Sequence, residues 1–76
     1  MNATIATTDL RPERNCVRVH VNGTVSDEQR SEIERSLIHD HGIHHSSERF
    51  GGYGLRFYVD PESAHQVRST ISEVLS

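Results

Sequence analysis

Two short stretches of the chain alternate between hydrophobic and polar residues, and this period of two predicts β-strands. The first is CVRVHVN at residues 16–22, and the second is LRFYV at residues 55–59. Because successive side chains of a strand point to opposite faces of a sheet, each strand is expected to bury its Val, Leu and Phe side chains. The alternation places a second set of side chains on the outer face, namely Arg18, His20, Arg56 and Tyr58.

A helical period of three to four residues follows each of these strands. Ser26 and Gln29 form a capping box, which predicts the start of the first helix. Gly42 is expected to end that helix in a left-handed conformation. The apolar stripe that should face the core consists of Ile33, Leu37 and Ile38.

A second helix and a hairpin complete the predicted elements. Asp60 is expected to cap the second helix with Pro61 at its first position, where the missing amide hydrogen of proline costs nothing. HHSSERF at residues 44–50 is a weak strand candidate that suits only a sheet edge, and GGYG at residues 51–54 predicts a hairpin turn. The order of elements is therefore strand, helix, strand, strand, helix.

That order predicts an α+β domain, a ferredoxin-like β-α-β-β-α sandwich in which two helices cover one face of an antiparallel sheet. The full pattern has a fourth strand after the second helix, and the sequence predicts none after Leu75. Residues 1–14 are expected to be a flexible arm, and residues 15–76 form the domain. The strand at residues 16–22 would then be an exposed edge, which either residues 4–8 or a second copy of the chain should cover.

Length and composition limit the core and the classes of partner. With 76 residues, of which 33% are hydrophobic and none is Trp, the chain can build one hydrophobic layer of modest stability. The net charge of −3 gives no overall field that would attract nucleic acid or an anionic membrane. Cys16 is the only cysteine, which excludes an internal disulfide, and no signal peptide or membrane-spanning stretch is evident. A soluble, cytoplasmic protein is expected.

The segment GTVSDEQRSEIERSL, which starts at Gly23, resembles the beginning of a heavy-metal-associated domain. This is the small fold of copper chaperones and of the N-terminal domains of metal-pumping ATPases. The family has G-M-T-C-x-x-C, then Ile four residues after the second Cys and Leu four residues later. Residues 16–75 are covered by the resemblance. The further positions that match the family's spacing are Ile33, Leu37, Gly42, Ile43, Asp60 and Pro61.

The chain departs from this family at the metal site. Ser26 and Gln29 stand where the family has its two thiolates, and Thr24 stands where it has Met. Cu(I) prefers thiolate and thioether ligands, which these three residues do not supply. The resemblance therefore implies the fold, and it assigns none of the family's metal ligands to this chain.

The heptapeptide HDHGIHH at residues 39–45 offers a different metal site. Two imidazoles near a helix end, with two more beyond a glycine turn, can converge on one ion as the nitrogen-rich shell that Zn(II), Ni(II) or Cu(II) accepts. The Asp40 carboxylate could act as an oxygen ligand to the ion or as a hydrogen-bond partner of a coordinating imidazole. The alternative is a helix end where the dipole favours imidazoles, followed by adjacent side chains that point apart. The candidate ligands are His39, His41, His44 and His45.

Two functional hypotheses follow, and neither is enzymatic. The first is transition-metal binding or handling through the relocated histidine cluster. The second is a metal-free module that binds a protein partner or a second copy of itself, either through the strand edge at residues 16–22 or through the outer sheet face. Nucleic acid and membranes are not expected as partners. The residues expected at the interaction face are Arg18, His20, Arg56 and Tyr58.

Overall fold

The computed structural model of the chain describes residues 3–51 and 54–76. The protein is an α+β domain with a four-stranded antiparallel sheet and two helices. A π-helical turn, Ser36–Asp40, extends the first helix, and a 3₁₀ turn, Pro61–Ser63, precedes the second. The elements are β1 (Thr4–Asp9), β2 (Val17–Asn22), α1 (Asp27–Arg35), β3 (Ser46–Phe50), β4 (Gly54–Val59) and α2 (Ala64–Leu75).

The strands lie in the order β1-β2-β4-β3, and each neighbouring pair is antiparallel. This order is compatible with a ferredoxin-like sheet whose outermost strand comes from the N-terminus instead of the C-terminus. Among the described residues no strand follows α2, as the sequence predicts, and the fourth strand of the sheet is β1. The expectation of a flexible arm at residues 1–14 is corrected, since Thr4–Asp9 is a strand of the sheet.

Strand β1 covers the edge that the sequence left open. Ile5 pairs with Val21, and Thr7 pairs with Val19, so that β2 has a partner on both sides. Of the two alternatives for this edge, the structure has the N-terminal residues paired along residues 17–22. Arg68 of α2 fastens the strand, since its Nη1 donates to the Ile5 carbonyl at 3.3 Å and to Thr7 Oγ1 at 2.8 Å.

The core is a single layer between the sheet and the two helices. The inward side chains of β2 and β4 are buried, as their alternation predicts. Each of the two helical segments adds a stripe of buried hydrophobic side chains. Ile43 and Val25, at the two ends of the first helical segment, close the layer. The buried hydrophobic residues are Val17, Val19, Val21, Val25, Ile33, Leu37, Ile43, Leu55, Phe57, Val59, Val67 and Ile71.

The first helix begins as the sequence predicts and ends differently. Ser26 Oγ accepts from the Gln29 amide at 3.0 Å, and Gln29 Oε1 accepts from the Ser26 amide at 2.9 Å. Gly42 has the expected positive φ of 62°. Ile38 does not join the core, since 53% of its surface is exposed. The wider π-helical turn changes the angle between successive residues and places Ile38 outside the buried stripe.

The second helix differs from its prediction at its start. Asp60 makes no side-chain cap, and its carbonyl instead accepts from the Ser63 amide at 2.9 Å to close the 3₁₀ turn. Gly52 and Tyr53, the centre of the predicted hairpin turn, lie outside the described residues. Within the described ranges, neither helix has the length and apolar character needed to cross a membrane.

We expect that deleting residues 3–9 destabilises the domain by at least about 2 kcal/mol, because β2 loses a row of backbone hydrogen bonds, each with a net value of about 1 kcal/mol. Urea denaturation of the deleted and complete chains measures the difference. The exposed Thr8→Ser substitution keeps β1 and serves as the control. An unchanged denaturation midpoint and an unchanged molecular mass would show that β1 does not support the sheet.

Candidate binding face on the open side of the sheet

Both helices pack on one side of the sheet, which leaves the other side without a covering layer within the described chain. We call this side the open face. On its two central strands, Arg18 stands opposite Tyr58, and His20 stands opposite Arg56. Among the residues that the outer strands add to the open face are Ala6, Thr8, Ser46 and Glu48. The four residues that the sequence places on this face therefore form one contiguous group.

Tyr58 is held in place from two directions. Its hydroxyl donates to Glu48 Oε2 at 2.6 Å, and the Arg14 guanidinium lies 4.7 Å from the centroid of its ring, at the distance of a cation–π contact. Arg56 Nη1 lies 3.6 Å from the same Glu48 oxygen. The hydrogen bond from Tyr58, followed by the contact with the Arg56 guanidinium, lowers the pKa of the Glu48 carboxyl below its ordinary value.

Sequence reasoning missed Arg14 and Glu48. Glu48 alternates with the inward-facing Ser47 on β3, so its position on the open face follows once the register with β4 is known. Arg14 belongs to the connection between β1 and β2, which is closed by a bond from the Leu10 amide to the Cys16 carbonyl. Nothing in the local sequence indicates that this connection reaches Tyr58.

His20 lies among positive charges. Burial lowers the pKa of its imidazole, and the charges of Arg56 and Arg18 lower it further. The neighbouring side chain on β1 is the uncharged Ala6. Arg18 Nε is buried and has no hydrogen-bond partner among the described residues. The centre of the open face is thus positively charged and favours the neutral form of His20.

The overall charge of −3 is distributed unevenly between the two sides of the molecule. Three arginines, Arg14, Arg18 and Arg56, gather at the open face, where the Glu48 carboxylate lies 3.6 Å from Arg56. The helical side, by contrast, is dominated by acidic residues, and its exposed arginine is Arg35. The exposed carboxylates of that side are Asp27, Glu28, Glu32, Asp40, Glu62 and Glu73.

The four predicted metal ligands do not come together. His39 and His44 are exposed, and His41 is exposed with its Nε2 3.2 Å from Gln66 Nε2. His45 is directed inward, with 4% of its side chain exposed. In the ranges that the structure describes, no group of three or more His, Cys, Asp or Glu side chains is placed to hold a metal ion. Metal binding through these histidines stays a prediction.

His45 belongs instead to a polar cluster beneath β3. Its ring centroid lies 5.7 Å from that of Phe57, and its Nε2 lies 3.5 Å from Glu34 Oε2. Ser47 Oγ donates to the same Glu34 oxygen at 2.9 Å and accepts from Arg30 Nη2 at 3.0 Å. The Ser47 proton is therefore directed at the carboxylate and not at the imidazole, which is not the arrangement of a nucleophile and its base.

The loop where the sequence resemblance would place a metal site offers no set of metal ligands among the described residues. Ser26 and Gln29 use their side chains in the capping box. The described residues that line the cleft next to this cap carry no thiol, imidazole or carboxylate side chain. They are Ala3, Thr24, Ser26, Gln29 and Leu75.

Comparison with known proteins leaves the site to be interpreted from its own geometry. No protein-family model matches the chain, and no curated protein or solved structure matches it significantly.

We expect the two adjacent histidines to differ sharply in their effect on stability. His45→Ala removes a buried ring that packs against Phe57 and should lower the free energy of unfolding by about 2–4 kcal/mol. His44→Ala alters an exposed side chain and should change it by less than about 0.5 kcal/mol. Thermal denaturation of both variants in metal-free buffer tests this, and equal effects would contradict the inward placement of His45.

The depressed pKa of His20 predicts a contribution to the pH dependence of stability. Below the ordinary histidine pKa of about 6.5, the unfolded chain binds this proton more readily than the folded chain, so acid favours unfolding. Part of the stability present at neutral pH should therefore be lost as the pH falls through this value. His20→Asn should reduce that loss, as measured by urea denaturation at several pH values. A His20 pKa at or above 6.5 by NMR titration would contradict the argument.

Proposed function

We propose that this chain is a small, non-catalytic docking protein that binds another protein through the open face of its sheet. The observation that carries the proposal is the group of three arginines, Arg14, Arg18 and Arg56, gathered around Tyr58 on the side that neither helix covers. Arg and Tyr are the residue types enriched at protein interfaces and at the contacts that contribute most to binding.

The open face is also preorganised. Tyr58 is fixed by a hydrogen bond to Glu48 and by the Arg14 guanidinium over its ring, so little side-chain freedom remains to be lost on binding. Arg18 and Arg56 project from central strands, each of which has a partner on both sides. A rigid sheet that presents ordered aromatic and cationic side chains suits recognition of a partner surface.

The proposal treats the fold as ferredoxin-like and similar in layout to heavy-metal-associated domains, with the outermost strand moved to the N-terminus. Ser26 and Gln29 use their side chains to cap the first helix, which is consistent with a chain that keeps this layout without the family's metal site. A cytoplasmic location is part of the proposal, because a lone cysteine suits a reducing compartment. Metal handling by the histidine cluster is the competing hypothesis, and the burial of His45 counts against its four-ligand form.

Site-specific photo-crosslinking in the cells that produce the protein tests the docking function. A photoreactive residue replacing Ala6, which is exposed on the open face beside His20, should give a discrete adduct with a partner protein identifiable by mass spectrometry. The matched control replaces Ser31, which is exposed on α1, and should give no such adduct. Adding Tyr58→Ala to the Ala6 variant should abolish the adduct, and circular dichroism verifies that each variant folds.

Three outcomes would contradict the proposal. Adducts from position 31 alone would assign docking to the helical side, and the absence of adducts from both positions would exclude a stable partner under those conditions. The third contradicting outcome would come from calorimetric titration with Zn(II), Ni(II) and Cu(II) at about pH 7.5, where imidazole is neutral. Binding that is lost in the double variant His41→Ala with His44→Ala would favour metal handling.

A further inference from the structure

We infer that the partner segment recognised by the open face is rich in carboxylates, with acidic residues at alternate positions of an extended chain, and that Arg18 and Arg56 bind them. The inference rests on the docking function proposed above, to which it adds the chemistry of the partner. Its basis is the placement of charge on the open face and the spacing of the two arginines.

The spacing follows from the register of the central strands. Arg18 stands opposite Tyr58, and Arg56 stands opposite His20, so the two arginines are diagonal neighbours on β2 and β4. Such neighbours are about 7–8 Å apart. In an extended chain, side chains two residues apart lie on the same face and are separated by about 6.6 Å. Two acidic side chains at alternate positions therefore match the spacing of the two arginine positions on the sheet.

The open face already stabilises one carboxylate of its own chain. Glu48 Oε2 accepts the Tyr58 hydroxyl at 2.6 Å and lies 3.6 Å from Arg56 Nη1, and these contacts favour the ionised carboxyl. Glu48 lies near Arg56, whereas the buried Nε of Arg18 has no hydrogen-bond partner among the described residues. Acidic side chains from a partner would add negative charge beside Arg14 and Arg18.

The same observations disfavour two other occupants of the open face. A second copy that presented its own open face would bring the arginine groups into contact, and like charges repel. Single-stranded nucleic acid binds sheets by stacking bases on aromatic rings. The Tyr58 ring already has the Arg14 guanidinium over it, which competes with a stacked base. A carboxylate-rich protein segment meets neither obstacle.

The test uses the complete chain and a short synthetic peptide in which glutamate alternates with threonine. Addition of the peptide at low salt should shift the backbone NMR signals of β2 and β4 and leave those of α1 unchanged. Arg18→Glu should weaken binding at least about tenfold, which corresponds to about 1.4 kcal/mol. The matched control, Arg35→Glu, reverses an exposed charge on the helical side and should leave the affinity within about twofold.

Several results would overturn the inference. These are equal binding of a peptide with glutamine in place of glutamate, tighter binding of a single-stranded oligonucleotide than of the acidic peptide, and peptide-induced shifts in α1. Failure to bind the acidic peptide would overturn it as well. An increase of molecular mass with concentration that Arg18→Glu abolishes would assign the face to the acidic helical side of a second copy.

The crosslinking experiment separates this inference from the docking function. If the adduct at position 6 forms and the acidic peptide fails to bind, the chain docks a protein of different chemistry, and only the present inference falls. If the adduct also fails to form, the docking function falls with it.

Discussion

The pairing register of β2 with β4 determines both the core and the candidate binding face. Val19 stands opposite Phe57, and both are fully buried beneath the helices. Because side chains alternate along a strand, burying this pair forces Arg18 and Tyr58 to the other face together. A slip of one residue would move the arginines into the core and the valines into water. The hydrophobic effect that holds the fold thus also assembles the cationic group.

The distribution of charge between the two sides of the protein, and not its net charge, indicates which partner the open face suits. A net charge of −3 over the whole chain suggests no preference for an acidic partner. In the folded chain, most of the exposed acidic residues belong to the helical side, whereas the arginines of β2, β4 and the first connection share the open face. Interactions between exposed charges are screened beyond about 8–10 Å, so a partner on the open face responds mainly to the local arginines.

Strand β3 shows how a sheet with few hydrophobic residues covers its outer part. Its inward Ser47 and Arg49 bond to side chains and backbone of the first helical segment. Arg49 Nη1 donates to the Val25 carbonyl, and Arg49 Nη2 contacts Asp27 at 2.7 Å. At the opposite edge, Arg68 bonds to β1. Buried polar groups are tolerated when they are hydrogen-bonded. These contacts therefore hold the outer strands to the helices at the sheet edges, where the small apolar core does not reach.

Local patterns in the sequence were sufficient for the central strands, the capping box at Ser26 and Gln29, and the left-handed Gly42, because each depends on residues a few positions apart. They also placed four side chains on the open face. Contacts between distant parts of the chain decided the rest. Strand β1 joins the sheet because β2 has backbone groups on that side that need hydrogen-bond partners. The His45 side chain lies inside because it packs against Phe57 and its Nε2 contacts Glu34. Such long-range pairings depend on the whole set of packed elements, which no single stretch of sequence specifies.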